Sequence, residues 1–95
     1  MKGIIDVRDE AVALYNDPST PAPLIAAMAE TVNYASPVDV IVGCYKALYG
    51  ATGLSAEQTS VLRSCAQSIS ENSFHGLGPQ AAAWLLANPE ASGEP

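Results

Sequence analysis

SPVDVIVGCYKALYG, residues 36–50, is the stretch on which the fold turns. Its centre, VDVIV, is rich in β-branched residues and by propensity alone suits a strand. Its edges favour a helix. Ser36 is a good N-cap, Pro37 fits the first helical position, where its missing N–H costs nothing, and Asp39 lies near the positive end of the dipole. As a helix of about residues 37–51 the segment is apolar nearly all round. Val38, Ile41, Tyr45 and Leu48 lie on one side and Val40, Cys44, Ala47 and Ala51 on another. A helix of that kind belongs at the centre of a fold. The expectation is therefore a central helix, with an extended 37–44 as the alternative. Gly43 and Gly50, seven apart, lie near Asp39 and Lys46. A mid-helix glycine costs about 0.5–1 kcal/mol relative to alanine, so tight packing is their expected use, against a neighbouring helix or a second copy of the chain.

Outward from this segment, proline, glycine and small polar residues divide the chain into five apolar-periodic segments, all read as helices. In the first, about 4–16, Ile4, Val7, Ala11, Leu14 and Tyr15 form an apolar stripe. Asp6, Asp9, Glu10, Ala13 and Asp17 line the opposite face. Thr20 then reads as an N-cap before Pro21, opening a second helix to about Ala35. Its residues Leu24, Ile25, Met28, Thr31, Val32 and Ala35 leave only a thin polar strip, so it should be largely buried.

On the other side of the central segment, Gly53 has the place of a helix stop, and Ser55 with Gln58 forms a capping box. The fourth helix carries a narrow stripe of Val61, Leu62, Cys65 and Ile69. The stretch ENSFHGLGPQ, 71–80, ends that helix, and Gly78 and Pro79 begin a short fifth one, stopped by Asn88-Pro89. The expected architecture is all-α: a compact bundle of four to five short helices in a single domain, residues 1–88, followed by a disordered acidic tail, 89–95.

The totals narrow the function. Of 95 residues, 48% are hydrophobic and 15% charged, so the chain should fold. Four basic residues, Lys2, Arg8, Lys46 and Arg63, stand against ten acidic ones for a net charge of -6. No window clusters Lys or Arg as phosphate contacts require, which disfavours direct nucleic-acid binding and anionic membranes. A negative surface favours basic proteins instead, among them nucleic-acid-handling enzymes with positive grooves. No signal-like apolar run opens the chain and no segment offers about 18 uninterrupted apolar residues, so a cytoplasmic location is expected.

Chemistry-bearing residues are few. His75, beside Phe74, could serve as a base or ligand, yet only Glu71 is near in sequence, so a role at the helix end is the plainer reading. Cys44 and Cys65 lack CxxC or Cys/His spacing and read as buried thiols, with Cys65 a minor ligand-site candidate alongside Phe74 and His75. No metal or cofactor is expected: the acidic residues of the first helix project from one straight face, without the loop that wraps oxygens around a cation. Trp84 is expected in the core, with burial at an interface as the competing case. Residues 47–75 share the outline of the helix pair around the active site of carboxymuconolactone decarboxylase and peroxidase-type helical proteins. That chemistry needs a CxxC thiol pair shortly before a histidine, and SISENSF stands before His75, so no membership is claimed.

Three function classes follow. The favoured one is a small non-catalytic interaction module, a regulator or inhibitor with the size and acidity of phage-encoded proteins such as anti-CRISPRs, acting on a basic partner. Its contact candidates are Asp6, Asp9, Glu10, Asp17, Gly43, Lys46, Gly50 and Trp84. The second is a self-associating protein using helices two and three at Gly43 and Gly50. The third is a small enzyme or ligand carrier built on His75, Tyr45 and a cysteine.

Overall fold

The VDVIV segment is helical. The computed structural model describes residues 3–33 and 36–88 and contains, among them, five α-helices, a 3-10 turn and no strand. The order is α1 (Ile4–Tyr15), α2 (Ala22–Ala29), α3 (Pro37–Tyr49), α4 (Ala56–Asn72), the turn Phe74–Gly76, and α5 (Gly78–Ala87). The tail expected at 89–95 lies outside the described residues.

Burial decides α3 against its own propensity. Val40, Ile41 and Val42 are successive residues at 0–3% exposure, and Cys44, Tyr45 and Leu48 are buried behind them. A strand would put Asp39 and Ile41 on one face, whereas the helix leaves Asp39 half-exposed while burying Ile41. Each fully buried aliphatic side chain contributes about 1.5–3 kcal/mol, more than the whole β-propensity scale of about 1 kcal/mol. α3 packs against α1, α2, α4 and the 3-10 turn. α4 in turn touches α1, α3, the 3-10 turn and α5, and α5 rests only on α4 and the turn.

The predicted capping of α4 is found in full: the Ser55 hydroxyl accepts from the Gln58 N–H at 3.1 Å, and the Gln58 side-chain oxygen accepts from the Ser55 N–H at 2.8 Å. α2 departs from expectation in three ways. Pro21, not Thr20, is its N-cap. The Thr20 hydroxyl is buried and donates to the Leu14 carbonyl at 2.7 Å, closing the end of α1 instead of opening α2. α2 also stops at Ala29, with Thr31 and Val32 both donating their N–H to the Met28 carbonyl in a final turn. Only Leu24 and Met28 of α2 are buried, and Ala22, Ala26, Ala27 and Ala29 face outward.

Thr31, in the turn after α2, packs directly on α3. Its side chain sits so close over Gly43 of α3 that a Cβ at residue 43 would fall inside it. The tight packing expected of Gly43 is thus a contact within the chain. Gly50 caps α3 with ordinary right-handed dihedrals, and its nearest neighbour would be the Lys46 carbonyl at 3.9 Å. Gly53, in the loop after α3, takes a φ of +69°; it turns the chain without ending the helix.

These two glycines make opposite predictions for one substitution. Helix propensity alone favours alanine at either by about 0.5–1 kcal/mol. Gly43→Ala should instead lower unfolding stability by about 1–3 kcal/mol through overpacking against Thr31, while Gly50→Ala should leave it unchanged or raise it. Urea unfolding of both variants checks the pair, and a stable Gly43→Ala would show that the α2–α3 contact yields easily.

Candidate functional site

α1 places its acidic residues as its periodicity predicts. Val7, Ala11 and Leu14 are buried, and Asp6, Asp9 and Ala13 face solvent. Each acid is tied differently. The Asp6 carboxylate accepts from the Gly3 N–H at 3.3 Å at the start of the helix, where negative charge is favoured. Asp9 pairs with the Arg8 guanidinium at 2.9 Å. Glu10 is half-buried. Asp17 lies beyond the helix and accepts from both the N–H and the hydroxyl of Ser19, at 2.9 and 2.8 Å. Those two donors, the backbone one foremost, hold its carboxyl below the usual range. Asp17 therefore belongs to a turn, and the outward stripe is Asp6 and Asp9. Ile5 emerges beside them at 51% exposure, which period-3.6 counting did not single out.

A shallow groove lies between the end of α2 and α3, lined by Ala27, Glu30, Thr31, Gly43, Lys46 and Ala47. It brings together two sequence candidates, Gly43 and Lys46, with Glu30 carrying the opposite charge. Gly50 does not line it.

His75 and Phe74 sit in the link between α4 and α5. Ser73 ends α4 in the left-handed region at φ 52°, His75 follows at φ 53°, and Gly76 at φ 72°. Left-handed backbone costs a residue with a Cβ about 1–2 kcal/mol, so the corner must be held from outside. Phe74 packs against the core. Gly78 lies so near Ser73 that an added Cβ would meet the Ser73 Oγ at 2.6 Å. The His75 Nε2 meets the Asp39 Oδ1 at 3.0 Å, tying the corner to the first turn of α3. Sequence reasoning weighed Glu71 as the partner of His75; the residue that meets it is 36 positions away.

The remaining candidates are packed inside or at the edge. Cys44 and Cys65 are both buried, and neither is in a disulfide. Trp84, expected in the core, is half-buried at its margin, with the Arg63 guanidinium 5.6 Å from the ring centroid. Tyr45 is 1% exposed, and its hydroxyl has no hydrogen-bond partner among the described residues. Burial, with the neighbouring Tyr49 second, pushes its phenol above the ordinary range. A neutral, enclosed phenol is poorly suited to proton transfer near neutrality. Among the described residues no three His, Cys, Asp or Glu side chains gather as a metal site, and no helix is long and apolar enough to cross a membrane.

Comparison with protein-family models, with curated proteins and with solved structures finds no match to this chain.

The orphaned hydroxyl gives a direct test of the role of Tyr45. Leaving a buried polar group unpaired costs about 1–3 kcal/mol, so Tyr45→Phe should be neutral or stabilising by about 1 kcal/mol in thermal unfolding. A loss of stability would mean that the hydroxyl is satisfied, by a buried water for example.

Proposed function

We propose that this protein is a non-catalytic interaction module that applies the outer face of α1 to a basic protein partner, as a regulator or inhibitor. One observation carries the reading: α1 presents Asp6 and Asp9 to solvent with the large apolar side chain of Ile5 exposed among them. Exposed acids in a chain of net charge -6 accelerate encounter with a positive surface. An exposed isoleucine supplies what charge does not, an apolar contact that slows dissociation once the surfaces meet. A positive nucleic-acid-binding groove is the partner chemistry this face suits, which is the mode of action open to a small phage-type, anti-CRISPR-like inhibitor.

The test begins with partners recovered from the native host, followed by kinetics of the purified pair. Asp6→Lys combined with Asp9→Lys should lower the association rate by roughly tenfold or more and flatten its salt dependence. Circular dichroism should stay near wild type, while the unfolding midpoint should fall modestly, because Asp6 also accepts from the Gly3 N–H at the start of α1 and Asp9 pairs with Arg8. Unchanged association at low and at high salt would remove α1 from the account.

A further inference from the structure

At the corner between α4 and α5, Ser73 and His75 both take left-handed dihedrals although each carries a Cβ, at φ 52° and 53°. Such residues persist only where surrounding contacts hold them, and they collect at switch regions. The corner also carries more than its own shape. Among the described residues α5 touches only α4 and the 3-10 turn, whereas the turn touches α3 as well. α5 therefore reaches the central helix through this corner alone.

Phe74 packs inward, and the polar side of the connection is a single contact, His75 Nε2 to Asp39 Oδ1 at 3.0 Å. An ionised carboxylate only accepts, so Nε2 carries a hydrogen and donates it. Nδ1 is then the nitrogen that gains or loses a proton. With Nδ1 bare the contact is a hydrogen bond from a neutral ring. With Nδ1 protonated it becomes an ion pair, and charge-assisted bonds are about twice as strong. The two side chains stay 47% and 39% exposed, so solvent protons reach the ring without the corner opening.

The surrounding charges favour the same response. The carbonyl end of α4 lies just before His75 and suits a cation, while the N-terminal end of α3 is answered by Asp39 in its first turn. Besides Asp39, α3 carries Lys46 two turns further on. α4 carries Glu57, Arg63 and, nearest in sequence, the exposed Glu71, and α5 carries no charged residue. Asp39 is the one charged group of these helices that the imidazole meets among the described residues.

We infer that His75 and Asp39 form a proton-controlled latch, which fastens the α4–α5 corner, and through it α5, to the first turn of α3. The contact exists only in the folded chain, so proton and latch stabilise each other. The latch is tight on the acid side of the imidazole range, at about pH 5, and slackens toward about pH 8. Exposed ion pairs couple weakly, so the latch sets how readily the corner opens rather than whether the chain folds.

The test is a double-mutant cycle of wild type, Asp39→Asn, His75→Asn and the two combined, unfolded in urea at about pH 5 and about pH 8. Asparagine at 75 tolerates left-handed backbone and has no proton to gain. Coupling between the two positions should be worth roughly two- to fivefold in the folded-to-unfolded ratio at the lower pH and fall toward one at the higher. Amide exchange supplies the local readout, because the Gly76 and Leu77 N–H groups donate to the Ser73 and Phe74 carbonyls within the corner. Their protection, corrected for the intrinsic rate, should drop by a similar factor between the two pH values in wild type and in neither single variant. Glu71→Gln should keep that pH dependence. Asp6→Lys with Asp9→Lys should keep it as well, so the latch and the α1 reading fail separately. Coupling that is equal at the two pH values, or absent at both, overturns the inference, as does a pH-dependent corner that survives the loss of His75.

Discussion

Helix α3 is apolar around most of its circumference, and the rest of the fold follows from having to wrap it. Its buried residues run from Val40 to Leu48 and include three in succession, Val40, Ile41 and Val42. No single neighbour covers so much, and α1, α2, α4 and the 3-10 turn all contribute. Where α2 crosses, Gly43 supplies the close approach and Thr31 fills it. Thr31 reaches it from the turn that follows α2. The corner between α4 and α5 meets the same demand from the far side: Phe74 packs inward, His75 reaches Asp39, and a left-handed backbone at two non-glycine residues is tolerated for the sake of both.

Much of this was legible because helix periodicity and end chemistry are local. The apolar stripe of α1, the Ser55–Gln58 capping box and the starts of α3 and α5 depend on residues within a turn of one another. What was not legible depends on distance along the chain. Thr20 looked like a cap for the helix after it because Pro21 follows, yet its hydroxyl turns back to the Leu14 carbonyl, which also accepts from the Asp17 N–H at the end of α1. α2 appeared to continue to Ala35 because Thr31 and Val32 fit its apolar pattern, but both turn back on the Met28 carbonyl, and Thr31 packs on Gly43 across the interface. The partner of His75 likewise belongs to another helix. No spacing rule connects residues 39 and 75.

For the candidate surface, the sequence located the acids but not their engagements. Arg8 beside Asp9 and Ser19 beside Asp17 turn two apparently equivalent carboxylates into a surface ion pair and a turn acceptor. The pair on α1 is exposed and worth less than about 1 kcal/mol, so a competing cation from a partner displaces Arg8 at little cost. The acceptor at Asp17 is committed to local structure. Exposure of Ile5 and Leu86 was hidden for a different reason: an apolar residue in a largely apolar helix gives no signal about which side will be covered.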